Sequence, residues 1–536
     1  MFLLLPNEIL ILSLCYLDLE DLLSVARVNL RLRDIVSYPI LRYRIATQFA
    51  GVENNPKCSM PLRERLALLE IWEHGWESGS FDLQVSVETP YLFSNIHALT
   101  DGVYIMGDAP WSALLHCLQL PKRSADPVEW KKIDLEKPVG NICIRVHLFD
   151  LIAISMCVSY NPPFIRSTPS PTDTEVCTVE VTLKQFSTEN PHPSAKKPLF
   201  FVSELPHNFK EIEIPTMDIA GVNLAVLISV ATETYEPDFL YIFNWTTGEK
   251  KMKIEMPDTS CICVAFLSSE LIVVPNIDAM TLEIWAVPES PPPLTEALRP
   301  LLSLGLPPSS GEFGTLTLRC HISTHPADSI PNNNCNREKD RPFRPSLEDA
   351  LLGCAVEFDC EEKISFMMYA RCIDVLALCG HVMRREHATA TLVNDSWVLP
   401  FAAWGPSLTR WFPVDSLSPY RTATSSGTRV VWGSPQAEFR MLDFHPAKLK
   451  IGRKIDSGSV PTTNETRISD EALEEFVSWL PFTSRALPSR NEDFHFDAVL
   501  IDEEWLIMLK VCNILLSFDI VVPSNYFCYF IAWRPS

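Results

Sequence analysis

The stretch Phe239-Leu240-Tyr241-Ile242-Phe243-Asn244-Trp245, then Thr246-Thr247-Gly248, then Lys251-Met252-Lys253-Ile254-Glu255-Met256, decides how most of the chain is read. The first run is apolar on both faces, as a strand inside a packed sheet must be. The second alternates apolar and charged residues, the pattern of a strand with one face in water. The Thr-Thr-Gly between them supplies a turn, so the pair reads as a hairpin.

Downstream, 282–287 repeats the theme, preceded by short apolar runs at 261–266 and 271–274. Phe243 and Trp285 lie 42 residues apart, within the spacing of about 40–45 expected of four-stranded propeller blades. Similar pieces flank this region: 103–106 with 114–120, 142–156 with 176–183, 364–368, 373–378, 430–432 with 439–444, and 498–501 with 505–508 and 515–520. The one long helical pattern among them is at 470–480. Strands without intervening helices argue against a βαβ parallel sheet and for an antiparallel radial repeat. A pair of β-sandwiches is the rival architecture.

Composition bounds what such a body can do. The 536 residues are 47% hydrophobic and 21% charged, enough apolar material for a large core. With 45 Lys+Arg against 67 Asp+Glu the net charge is −22, which disfavours a phosphate-tracking nucleic-acid binder. Apolar runs fall short of the ~20 residues of a membrane span. The opening Met1–Leu5 lacks the basic flank of a secretory leader, so an intracellular protein is expected, cytoplasmic or nuclear. Sixteen cysteines without a C-x-x-C pair then read as reduced thiols. Sequons at Asn244, Asn394 and Asn464 carry no weight in that compartment.

Residues 5–45 read differently. Leu5-Pro6-Asn7-Glu8 opens a helix, with proline and an acid suited to a helix start. Apolar Ile9, Leu10, Ile11, Leu12, Leu14 and Leu17 wrap around more of that helix than one internal face can absorb. Asp18 is placed to cap a second helix carrying Leu22, Leu23 and Val25, and a third runs from about Asn29 to Val36. Such excess apolar surface on a small module implies a partner.

The segment resembles an F-box: Leu5-Pro6-x-Glu8-Ile9-Leu10, then Leu17-Asp18, Asp21-Leu22-Leu23, Val28 and Leu32 match that family's spacing without a gap. Ser13 and Asn29 depart from it, where the family favours Ile and a small Ser or Cys. The resemblance implies docking to a Skp-family adaptor, and through it a cullin, by Leu5, Pro6, Ile9, Leu10, Leu14, Leu17, Leu22, Leu23 and Val28. The whole chain resembles fungal-type F-box proteins with a degenerate β-propeller body. The fold expected is therefore mainly β with an N-terminal α-helical module: an F-box at 1–48, a helical connector at 49–80, and a propeller-like domain at 81–536. Polar insertions are expected at 161–175, 287–311, 323–348 and 446–495.

Chemistry is sparse. There is no Gly-x-Ser-x-Gly elbow, phosphate-binding glycine loop or His-Glu-x-x-His pair. Cys320, His321, His325 and Cys335 form the best metal candidate, but their irregular spacing runs into an Asn-rich tract, so no metal and no cofactor are expected. Asp502, Glu503 and Glu504 read as a solvated hairpin turn, and Trp404 and Trp411 as core residues. The function expected is a non-catalytic substrate receptor of an SCF-type ubiquitin ligase that holds a protein target. The alternatives are an F-box scaffold acting outside a ligase and a propeller hydrolase.

Overall fold

In the computed structural model the quoted hairpin is present, as strands Asp238–Asn244 and Glu249–Met256. Asn244 shapes the turn: its side-chain oxygen accepts from the amides of Thr246 and Thr247 and from the Thr246 hydroxyl. Gly248 completes it at φ +72°, where a side chain would be strained. Trp245 is fully buried and donates its indole N–H to the Gly221 carbonyl at 2.9 Å. The structure describes residues 2–535 without 80, 90–95, 101, 108–111, 122–125, 159–177, 205–208, 213–215, 233–236, 257–262, 294–297, 311–313, 325–340, 360–363, 385–390, 394–395, 415–424, 433–438, 452–459, 488–497 and 513–526. The expected insertion at 161–175, most of that at 323–348 and the expected strand at 515–520 lie outside the described residues.

Seven sheets of at least four strands follow one another along the chain, antiparallel throughout except where Leu302–Gly305 pairs in parallel with Ser396–Leu399 in the fourth. The first holds His97–Thr100, Val103–Gly107, Leu114–Gln119 and Trp130–Asp134. The second holds Val139–Arg145, Leu151–Val158, Thr178–Gln185 and Leu199–Glu204. Thr216–Ala220, Asn223–Ile228 and the hairpin make the third. The fourth is Ala265–Phe266, Leu271–Asn276, Thr281–Ala286 and Leu302–Gly305, extended by Ser396–Leu399 and Thr391–Val393. The fifth is Gly314–Ile322, Leu351–Asp359, Ile364–Arg371 and Thr409–Val414. Ser425–Ser426, Arg429–Trp432, Arg440–Asp443, Phe482–Ala486 and Val460–Thr462 form the sixth.

The seventh joins Ala498–Ile501, Leu506–Cys512 and Phe527–Pro535 to Phe81–Thr89 from the far end of the body, paired along nearly its whole length with Phe527–Pro535. That pairing closes a ring. Each seam between neighbouring sheets has its own apolar cluster, from the first–second seam around Ile105 and Ile154 to the seventh–first seam around Tyr104 and Trp505. Every sheet is thus buried on both faces, which a sandwich does not do. The body is a β-propeller. Phe243 and Trp285 occupy the third strands of successive sheets, each packed toward the preceding one, so the 42-residue spacing was a true repeat.

Several local expectations are corrected. The stretch 373–378 is helical, within Cys372–Met383, because Cys372, Val375, Cys379 and Val382 bury at helical spacing. The helix expected at 470–480 is instead extended, with Phe476–Ser478 paired to Thr466–Ile468 and Phe476 stacked edge-on against Phe401 and Trp411. Leu302–Gly305 and Phe482–Ala486, inside the stretches 287–311 and 446–495 read as polar insertions, are sheet strands. Trp404 and Trp411 are core residues, as expected.

Ahead of the ring stand five helices: α1 (Asn7–Leu14), α2 (Leu19–Val28), α3 (Leu30–Val36), α4 (Pro39–Ala50) and α5 (Leu62–Ser78). The connector helix expected near 62–76 is α5. No helix among the described residues is long and apolar enough to cross a membrane.

Candidate adaptor-docking surface

The helical module is organised by two caps. Asp18 accepts the Asp21 amide at 2.8 Å and starts α2; Asn29 accepts the Leu32 amide at 2.8 Å and starts α3. Pro6 lies one residue before α1, where its carbonyl accepts the Leu10 amide. The Arg31 guanidinium, on α3, donates to the carbonyls of Leu3 and Leu5 and to the Asn7 side chain, pinning the leading segment onto the module. Arg44 donates to the Leu17 carbonyl, tying α4 to the α1–α2 turn.

These constraints split α1 into two apolar faces. Leu10 and Leu14 turn inward and join Leu22, Leu32, Ile35, Val36 and Leu41 in one core. Ile9 and Leu12 turn outward, 45% and 59% exposed, and Leu5, just ahead of the helix, and Tyr16, just past its end, leave further apolar surface open to solvent. Tyr16 is 88% exposed, and Val28 and Leu30 at the α2–α3 junction are also open to solvent.

Of the nine residues read from the sequence as adaptor-binding, Leu5, Pro6, Ile9 and Val28 are exposed, Leu17 and Leu23 are half-buried, and Leu10, Leu14 and Leu22 are interior. Leu12, Tyr16 and Leu30 were not nominated. The surplus of apolar residues around α1 was the signal for Leu12; nothing local marked Tyr16 or Leu30.

The module is anchored to the ring through α5. Glu73 lies between Arg429 at 2.6 Å and Lys448, and Lys448 also reaches Asp443 at 2.9 Å. All four side chains are buried. Burial works against both carboxylates, but Arg429 and Lys448 outweigh it, so Glu73 and Asp443 are held below their usual range. The Arg429 guanidinium also stands over the rings of Trp72 and Trp76, 4.7 and 5.5 Å from their centroids. A second tether pairs Val52–Asn54 with Phe343–Pro345, while Trp72 donates to the Glu503 carbonyl at 3.0 Å. The helical module is therefore held at a set angle to the sixth and seventh sheets.

The acidic turn at 502–504 is a hairpin turn, but Asp502 is not solvated, as had been expected. It is buried and accepts the amides of Gly102, Glu504 and Trp505, locking the seventh sheet to the first. In the metal candidate, Cys320 and His321 are adjacent on one strand and point to opposite faces: Cys320 meets Cys263, and His321 meets the Ser425 hydroxyl at 2.9 Å. His325 and Cys335 lie outside the described residues, among which no three His, Cys, Asp or Glu side chains converge as a metal site. The buried pair Arg145–Asp218 is structural: Asp218 also accepts the amides of Ile219 and Phe266, stitching the second, third and fourth sheets together.

The helical module thus leaves apolar side chains uncovered and is fixed through α5 to a closed β-propeller. Residues 2–48 match the F-box-like family model, so the N-terminal helices are an F-box-like domain. Among solved structures, the chain aligns with the C-terminal WD40 domain of Sif2 at 8% identity and a TM-score of 0.31, over 84% of this chain and 97% of that one. It aligns with Hsv2 of Kluyveromyces lactis at 10% identity and 0.26, over 58% and 83%, and with the calcium-binding protein regucalcin of Agrobacterium tumefaciens at 9% and 0.27, over 53% and 83%. No curated protein matches.

Proposed function

We propose that this protein is the substrate-recognition subunit of an SCF-type ubiquitin ligase, acting in the cytoplasm or nucleus. The F-box-like helices would dock a Skp-family adaptor, and through it a cullin, while the propeller holds a protein target. The observation that carries this reading is the exposed apolar set Leu5, Ile9, Leu12 and Tyr16 on a module whose interior is already filled by Leu10, Leu14 and Leu22. A helix that needed only to pack on its own module would leave no such set. The protein's role is then proximity: it raises the local concentration of target lysines near a charged enzyme without itself reacting.

Co-expression with a Skp-family adaptor and a cullin tests this. Wild type is expected to co-purify with both, and Ile9→Asp/Leu12→Asp to lose them while keeping its own fold, because both side chains face solvent. Adaptor capture without cullin would instead favour a scaffold working outside a ligase. An intact, folded wild-type chain that ignores the adaptor would sink the docking assignment.

A further inference from the structure

Nine free cysteines lie among the described residues, and two of them meet across a seam. Cys263 lies two residues ahead of Ala265–Phe266, the first strand of the fourth sheet, and Cys320 lies on Gly314–Ile322, the first strand of the fifth. Their sulfurs are 3.6 Å apart, and the Cys320 backbone N–H donates to the Cys263 sulfur at 2.9 Å. A disulfide needs about 2.05 Å, so closing one asks the sulfurs to approach by roughly 1.5 Å. Cys263 and Cys320 keep 6% and 7% of their surface, whereas Cys354, opposite Cys320 in the same sheet, keeps 0%.

The two thiols are also unlike. Burial opposes ionisation of Cys263, but hydrogen bonds from Cys320 and the charge of Arg319 override it and lower its pKa. Cys320 is pushed the other way, first by its hydrogen bond to Cys263 and then by burial. The isolated buried thiols behave as inert hydrophobes: burial raises Cys143 to about 11 and Cys379 to about 12.

We propose that Cys263 and Cys320 are a peroxide-oxidisable pair that forms a reversible disulfide across the seam between the fourth and fifth sheets. The Cys263 sulfur attacks one peroxide oxygen; the O–O bond breaks, one water leaves, and Cys263 becomes a sulfenic acid. The Cys320 sulfur then attacks that sulfur and gives up its proton, the S–O bond breaks and a second water leaves. Two thiols lose two electrons and one hydrogen peroxide becomes two waters. The cross-link staples neighbouring sheets and is undone by thiol exchange with a dithiol. This inference is independent of what the F-box-like helices bind.

The test uses the full chain treated with hydrogen peroxide under native conditions. Remaining thiols are blocked with a maleimide in denaturant, and the protein is digested without reduction. Fragmentation must locate the link, since the same tryptic peptides carry Cys261 and Cys335. The expected result is a Cys263–Cys320 peptide that disappears with dithiothreitol and is absent from Cys263→Ser and from Cys320→Ser. Oxidised wild type is also expected to melt at a higher temperature than reduced wild type, a shift neither variant shows. Recovery of both cysteines as maleimide adducts, a link from either one to another cysteine, or oxidation that stops at a sulfinic acid would each overturn the proposal. Because wild type alone yields those outcomes, a variant that folds poorly leaves the test intact.

Discussion

Leu10 and Leu12 stand two residues apart on α1 and have opposite tasks, because a helix turns about 100° per residue and sends them to different faces. Leu10→Ala removes a fully buried side chain and is expected to cost about 2–5 kcal/mol. Leu12→Ala, at the surface, should change stability by no more than about 0.5 kcal/mol. Hydrogen exchange over α1–α3 in the full chain checks both: protection should fall with the first change and persist with the second. Equal loss in the two would mean that Leu12 is covered by the protein itself. The cap at Asp18 shows what the sequence makes legible at this scale. The residue type and the apolar position three or four places on are both local.

At the scale of elements, the connection between α5 and the sixth sheet is the feature local pattern could not supply. Glu73 on α5 meets Arg429 and Lys448, more than 350 residues away in the chain. Removing one partner from a buried ion cluster strands the others, a loss of about 3–5 kcal/mol. Glu73→Ala should therefore destabilise the chain in urea by that order and speed hydrogen exchange in α5, with Glu73→Gln, which retains hydrogen bonding, falling between. Unchanged exchange in α5 would show that Trp72 and Trp76 suffice to hold the helix. Two misread elements have related causes. The run 373–378 is too short for its period to separate a strand from a buried helix. The acidic helical pattern at 470–480 yields to Phe476, whose ring fills the space beside Phe401 and Trp411.

At the scale of the whole molecule, opposed titrations shape stability against pH. Burial lowers His321 and His445 to about 4, so the unfolded chain takes up those protons first and stability declines as pH falls from about 6.5 toward 4. Burial raises Asp349 and Asp502 to about 6, so there the folded chain takes up protons first and stability rises as pH falls from 6 toward 3.8. Asp349 is 28% exposed, and solvent weakens its share. The raised carboxylates therefore offset the histidines as pH falls toward 4, below which stability falls as Glu73 and Asp443 are protonated. Urea midpoints at pH 7, 6, 5 and 4 check this; a uniform decline across the range would show the aspartates do not compensate. Ring closure is testable at the same scale. Deleting 527–535 removes the partner of Phe81–Thr89 and should abolish a monodisperse folded product on size exclusion.

The sequence by itself determined the elements whose signal is carried by near neighbours. These were the helices α1–α3 with the cap at Asp18, the connector α5, the hairpin at 238–256, and the 42-residue recurrence from Phe243 to Trp285 that marked a radial repeat. It also marked α1 as carrying more apolar surface than its own module could use. Tertiary structure alone decided that the ring closes through strands from both ends of the body, that Leu10 faces inward while Ile9 faces out, and that Asp502 is a buried lock. It alone brought Glu73 to Arg429 and Cys263 to Cys320. The physical reason is one of range. Periodicity and capping depend on residues within a turn or two of each other, whereas burial and ion pairing depend on partners that meet only when the sheets have closed into a ring.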